Sequence, residues 1–537
     1  VLNEERLDPV LNAGRCPAKF EGREEYSGDL RKVPCTKHEE HIGAEQIFAH
    51  TKGTMWYTPT VKHNCPRTIL AASIRNTSNK NYFDNRVFLR YKLWFRGVFI
   101  KNFLKYMDLE DIEVDLEKWL LKYPVNYRKN IRQSIDRDHI SHDGKTKVKY
   151  GAFPKIELNV TDVCEDLKDT EANEVKERLI CGPSDEKKAW ANAFINELEG
   201  VASRNMKEYC GRANWIEICK SLDDIEANIP NLIWAASDGS GFDMTQYPEM
   251  NKLMNELILA CAKHKNVTWK EPLTIDRLAE MLNGSLHMKV EADNGKLRYQ
   301  AEGRASGDGW TTFGNTMLMI SYWQFTAHIA QVQIQLKVKG DDVLFAMDTK
   351  DRDAMMQAID TVFAKKKEFS EHGLGQICKK IDWGDITDLD FLSNEFFRTK
   401  EGKIRMTRIP KRVLQTNSWT TKLPPKGRKR EDIRRQLCYS KGKCLEAWAD
   451  GLPIFGALAR KMIELGKPGS FSEFNIHSDA DRVWYKGRDD YDAYMAYLEN
   501  RYSVRKDEVL QFERQIAKIT SLGEIVENTL IDKFYKC

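Results

Sequence analysis

The sequence predicts an α+β fold divided into several subdomains, and three stretches carry that expectation. At 334–347, Ile334, Leu336 and Val338 alternate with Gln335, Lys337 and Lys339, and the apolar run Val343 to Met347 follows Gly340, Asp341 and Asp342. This pattern reads as a β-hairpin with two carboxylates at its tip. At 232–236, LIWAA is a short apolar strand that breaks into SDGSGFDMTQYPEM. From Gln246 to about Lys265 the apolar positions Met250, Leu253, Met254, Leu257, Ile258 and Cys261 then recur at helical spacing. From 306, SGDGWTTFGNTMLMISYWQFTAHIA reads as a Gly-containing loop feeding a long apolar helix.

The rest of the chain fits this outline. Residues 80–135 carry helical patterning with many basic and aromatic residues, as in FLRYKLWFRGVFIKNFLKYM. DRDAMMQAIDTVFAKKKEF predicts a helix over about 351–369. Between 401 and 443 there are 14 Lys or Arg and 3 acidic residues, a density expected of a contact to a phosphate backbone. Pro410, Pro424 and Pro425 argue that much of this segment is loop or strand, and from about 444 helical patterns alternate with turns. No internal repeat or low-complexity tract is present, which excludes solenoids and long linkers.

Composition narrows the function classes. With 537 residues, 41% hydrophobic and 31% charged, the chain is of the folded globular type. Its net charge of +4 is small, so nucleic-acid affinity must come from local clustering. The start, VLNEERLDPV, lacks the apolar core of a signal peptide, and no apolar run is long enough to span a bilayer. Beginning at Val leaves room for an upstream region, membrane-targeting elements included. The twelve cysteines are irregularly spaced and suit reduced thiols. Cys16, Cys35, His38, His41, His50, His63 and Cys65 offer zinc ligands, but their spacing fits no standard finger. Surface histidines and buried thiols are the alternative.

Two adjacent ionised carboxylates repel each other, and near apolar strands water, a cation or a basic partner must offset that cost. A solvated Asp-rich turn is one solution. A divalent-cation site is the other, and it needs a further carboxylate. Asp238, at the end of the LIWAAS strand, is the candidate, with Asp243 five residues later. Were the two segments neighbours in one sheet, Asp238, Asp341 and Asp342 would present oxygen-only ligation, which suits Mg²⁺. Two such ions serve an in-line displacement at phosphorus.

The ordered set DGSGFD (238–243), SGDGWTTFGN (306–315) and GDD (340–342) resembles motifs A, B and C of positive-strand RNA virus RNA-dependent RNA polymerases, closest in pattern to tombusvirus-like and nodavirus-like replicases. FPKIE (153–157) and KERLI (176–180) look like the halves of motif F, and DFLSNEFF (390–397) is similar to motif E but departs from the FLKR form. The resemblance implies a right-hand polymerase with fingers, palm and thumb, an RRM-like antiparallel palm sheet and a mainly helical thumb.

It further implies these parts: an N-terminal extension or fingertips (1–70), fingers (71–230, with motif F at 153–180), palm (231–250), a fingers insertion (251–300), palm (301–400) and thumb (401–537). Asp238, Asp341 and Asp342 would hold Mg²⁺, with Mn²⁺ as an alternative. Asp243 and Asn315, helped by Ser306 and Thr311, would read the ribose 2′-OH, since a polar pair built for a hydroxyl rejects a nucleotide lacking it. Lys155, Lys176 and Arg178 would neutralise the NTP triphosphate, and Lys379 or Lys380 would protonate pyrophosphate. Single-stranded RNA template, nascent RNA, NTPs and viral or host replication proteins are the implied partners. The implied setting is the host cytoplasm, at membrane-associated replication complexes reached through other regions or partners. A reverse transcriptase or DNA polymerase and a non-catalytic RNA-binding protein are the rival readings; Asn315 and the intact carboxylates count against them.

Overall fold

The computed structural model describes residues 82–140, 149–155, 178–239, 241–292, 296–365, 371–422, 429–469 and 490–534, with shorter stretches at 21–22, 45–53, 69–70, 72–73 and 158. The helical patterning after 80 becomes one interrupted helix, α1 (Asn85–Trp94) and α2 (Ile100–Met107), joined by a π-helical turn, Phe95–Phe99. Asp84 caps its start by accepting from the N–H groups of Arg86 and Val87. The buried stripe Tyr91, Phe95, Phe99, Phe103 and Met107 explains the interruption. An α-helix turns about 100° per residue, so a four-residue spacing drifts about 40° per step and about 160° across the stripe. The π turn adds one residue, closed by Ile100 N–H donating to the Phe95 carbonyl, and takes back about 100°.

Strands β1 (Lys149–Pro154) and β2 (Leu179–Pro183) pair antiparallel, followed by helices α3 (Asp185–Asn205) and α4 (Trp215–Asn228). A capping box between Asn214 and Glu217 starts α4. Next come β3 (Leu232–Gly239), a one-turn helix Phe242–Thr245 and α5 (Pro248–Ala262). The expected 246–265 helix is thus trimmed at both ends. Pro248 starts it, where its missing N–H costs nothing, and Gln246 instead donates to the Phe242 carbonyl. Helix α6 (Ile275–Gly284), the hairpin β4 (Met288–Ala292) and β5 (Leu297–Ala301), and the long α7 (Thr311–Ala330) follow. Strand β1 runs parallel beside β4, joining these strands in one sheet.

The 334–347 segment forms the expected hairpin, β6 (Gln335–Lys339) and β7 (Asp342–Asp348). After it come α8 (Arg352–Val362), β8 (Phe363–Ala364) and β9 (Gln376–Gly384). The helix expected to reach 369 stops at Val362, because Phe363 and Ala364 pair with Gln376 and Ile377 and Phe363 packs on Trp323. The central sheet has the order β6-β7-β3-β9-β8. Strand β7, between β6 and β3, is apolar on both faces: Val343, Phe345 and Met347 enter one core with α7, while Leu344 and Ala346 enter a second with α4. Continuous apolar runs are the mark of strands covered on both sides.

A meander of β10 (Asp390–Phe391), β11 (Asn394–Arg398) and β12 (Ile404–Arg408) leads to α9 (Pro410–Thr416), α10 (Arg430–Ala449), α11 (Phe455–Leu465) and α12 (Tyr491–Tyr502). The basic segment is therefore more helical than its prolines suggest; Pro410 sits in the first turn of α9. Buried Arg405 on β12 pairs with Asp490 at 2.6 Å and donates to the Trp448 carbonyl, tying the meander to the C-terminal helices. The cysteines among the described residues are free thiols. Among those residues no helix is long and apolar enough to cross a membrane.

Candidate active site

Register brings the carboxylates together. In the antiparallel pairing of β7 with β3, Asp342 lies directly opposite Asp238, and the Gly239 N–H donates to the Asp341 carbonyl at 3.3 Å. Gly340 takes φ +66°, the left-handed value that a two-residue hairpin loop favours at its first position. Asp238 is exposed, whereas Asp341 and Asp342 are half-buried. Burial, then the charges of Asp238 and Asp342, push Asp341 up to about 7. Burial and the Asp238 charge push Asp342 up to about 6, with Arg412 opposing. The site is therefore short of positive charge.

Helix α7 fixes this end of the sheet through adjacent residues. Asn315 Nδ2 donates to Asp243 Oδ1 at 2.5 Å, and Thr316 Oγ1 accepts from the Gly340 N–H at 2.9 Å. The loop before α7 is docked on β2. Ser306 Oγ donates to the Leu179 carbonyl at 3.1 Å and accepts from the Cys181 N–H, and the Gly307 N–H donates to the Cys181 carbonyl at 2.7 Å. A Cβ on Gly307 would stand 2.9 Å from that carbonyl oxygen, so the close approach requires glycine. Thr311 Oγ1 donates to the Ala305 carbonyl and closes the loop.

The remaining expected residues are distributed as follows. Lys155 and Arg178 are exposed at the end of the β1–β2 pair, joined by the Lys155 N–H and the Arg178 carbonyl; Lys176 lies outside the described residues. In the pairing of β9 with β3, Cys378 faces Gly239 and Ile381 faces Ser237, so the extra residue of a β-bulge falls at Lys379–Lys380, across from Asp238. Lys380 is exposed and pairs with Asp382 at 2.5 Å, while the Lys379 side chain lies outside the described ones. Of the Cys and His cluster before 66, only His50 is described. It is buried, accepts from Trp419 Nε1 at 3.2 Å and is lowered to about 4 by burial, which keeps it neutral.

Two features escaped the sequence reading. Arg412, exposed on α9, acts electrostatically on Asp342 and Asp390, and nothing in its basic segment distinguished it from its neighbours. Arg304 and Asp308 are buried in the loop before α7; burial lifts Asp308 to about 7 against the pull of Arg304. Their signal was a charged pair flanking SG beside an apolar helix.

Among the described residues no three Asp, Glu, His or Cys side chains stand arranged to hold a metal ion. The donor set still fits one: the carboxylates of Asp238, Asp341 and Asp342 share one sheet end, and their mutual repulsion is what a hard divalent cation relieves.

Three carboxylates gathered at one end of the central sheet, beside a bonded Asn–Asp pair, make up the candidate site of this α+β chain. Residues 269–518 match the family model described as viral RNA dependent RNA polymerase. The match supports a viral RNA-directed RNA polymerase catalytic region over those residues, a class that acts with an RNA template and NTPs and works with divalent metal ions. The matched span contains the 306–315 and 340–342 segments and begins after Asp238 and Asp243. It favours this reading over a reverse transcriptase or a non-catalytic RNA binder. No curated protein matches the chain.

Proposed function

We propose that the chain copies a single-stranded RNA template by two-metal nucleotidyl transfer from NTPs, with Asp238, Asp341 and Asp342 as the metal-holding carboxylates. The in-register pairing of Asp238 with Asp342 beside Asp341 carries this reading. Mg²⁺ or Mn²⁺ bound there would activate a 3′-hydroxyl and offset charge on the departing pyrophosphate.

The protein's own groups account for the rest. Asp243 and Asn315 present a bonded carboxylate–amide pair to the ribose, and a deoxynucleotide leaves it unsatisfied. Ser306 and Thr311 hold the loop that leads into α7, the helix that carries Asn315. Lys155, Lys176 and Arg178 offset triphosphate charge, and Lys379 or Lys380 supplies the proton to pyrophosphate. The basic 401–443 segment grips the RNA backbone while base pairing specifies sequence.

In this reading 231–250 and 301–400 are palm, 71–230 and 251–300 fingers, 401–537 thumb, and 1–70 an N-terminal extension. The enzyme works in the host cytoplasm at membrane-bound complexes, through other regions or partners. The test is nucleotide incorporation by purified protein on a single-stranded RNA template, NTPs against dNTPs, with and without Mg²⁺ or Mn²⁺. Metal-dependent, template-complementary RNA that disappears in Asp341→Asn, with RNA binding retained, supports the reading. Folded wild type that binds RNA and makes none overturns it in favour of an RNA-binding protein.

A further inference from the structure

Arg304 stands two residues before Ser306 and is 4% exposed. Its N–H donates to the Asp243 carbonyl at 2.7 Å, which clips the loop to the Phe242–Thr245 turn. Its guanidinium lies against Gly314: a Cβ there would stand 3.1 Å from Nη2, so the missing side chain makes the room. The next residue is Asn315, whose amide donates to Asp243. Burial disfavours the Arg304 cation and lowers its pKa, and the charges of Asp308 first and then Asp243 oppose that.

The hydrogen-bonding inventory of this cluster is incomplete. Arg304 Nε and Nη2, Asn315 Oδ1 and Asp308 Oδ1 are all buried without a partner. Buried guanidinium groups are costly to keep, and an apolar replacement of a whole pair is often as stable. A buried guanidinium retained in this position, with Nε and Nη2 unpartnered and its charge offset by Asp308 and Asp243, therefore points to a task other than stability.

Resting on the reading of Asp243 and Asn315 as the ribose-recognising pair, we infer that Arg304, backed by Asp308, is the positioning residue of that pair. Within reach of that positive charge the Asp243 carboxylate is held ionised and only accepts, so Asn315 turns its NH₂ toward it. Asn315 Oδ1 is then left to accept from the ribose 2′-OH. Without the cation the amide loses its enforced direction, and the hydroxyl is read less strictly. Arg304 itself touches no nucleotide.

The experiment measures kcat/KM for CTP and dCTP on one RNA template, using the full chain. The variants are Arg304→Lys, Arg304→Met and Arg304→Met/Asp308→Asn; the double variant leaves no lone buried carboxylate at 308 if the single one fails to fold. The CTP/dCTP preference is expected to fall about 10-fold in the double variant, within the usual coupling of neighbouring groups. Arg304→Lys should retain most of the preference. In an Asn315→Ala background the double change should have no further effect. Equal losses for CTP and dCTP, or a full additional loss in the Asn315→Ala background, overturn the inference. A wild type without template-directed synthesis, or an Asn315→Ala variant with its preference intact, overturns the underlying reading instead.

Discussion

Glu395, in the DFLSNEFF segment, is fully buried on β11, and its two carboxylate oxygens accept from Tyr494 at 3.1 Å and Tyr502 at 2.6 Å on α12. Burial raises it from 4.5 to about 7, with the Tyr502 hydrogen bond and the Arg501 charge opposing. The folded state therefore binds this proton more tightly than the unfolded chain. Between pH 4.5 and 7 the unfolded chain has released the proton and the folded one has not, so stability falls as pH rises through that window and levels off above it. The interval corresponds to about 3 kcal/mol. Glu395→Gln keeps the shape and removes the proton. Denaturant unfolding of both proteins at pH 5 and pH 8 should show wild type losing about 3 kcal/mol more than the variant across that range. Asp308 and Asp341 are also raised to about 7 and slope the same way, which is why the difference between the two proteins is the quantity read. Parallel pH profiles would refute a protonated Glu395 between the meander and α12.

Thr316→Val keeps the side-chain volume but removes the acceptor of the Gly340 N–H; a loss of about 1–2 kcal/mol and slower incorporation are expected, and an unchanged melt with full activity would show that the bond does not hold the hairpin tip. Asp341→Asn should abolish synthesis and, by relieving crowding, stabilise the fold above pH 7 by about 1–2 kcal/mol after allowance for residual solvent. The penalty it removes is absent at low pH, so a variant less stable than wild type at pH 8 contradicts the crowding. Arg405→Met leaves Asp490 buried without its ion pair and should cost about 3–5 kcal/mol by thermal melting, whereas Arg405→Met/Asp490→Leu should recover most of that loss.

The 340–342 hairpin, the strand before Asp238 and the loop feeding α7 were legible because each is written in short-range signals: alternation, turn residues and helical spacing. The pairing of Asp238 with Asp342 was not written that way. It depends on which strands become neighbours, and only the order of motifs pointed to it. The bulge at 378–381 was invisible for the same reason, since an extra residue exists only relative to a partner strand. The 351–369 helix was overextended because its Lys-rich end favours helix locally, and strand pairing at Phe363 prevailed. The burial of Arg304 depends on tertiary contacts, where Gly314 of α7 and the Asp243 turn meet the loop.

The π turn at Phe95–Phe99 also affects how this chain should be compared with others. A relative whose helix runs α-helical throughout needs one residue fewer to present the same buried stripe. Aligned without a gap there, its residues beyond the turn would be matched one position out of step, with buried positions such as Phe103 and Met107 set against neighbours such as exposed Asn102 and Asp108. In this chain a single-residue deletion at 96–98 would let the helix run α-helical while keeping Phe103 and Met107 on the buried face, so it should cost less than the same deletion within α1 or α2.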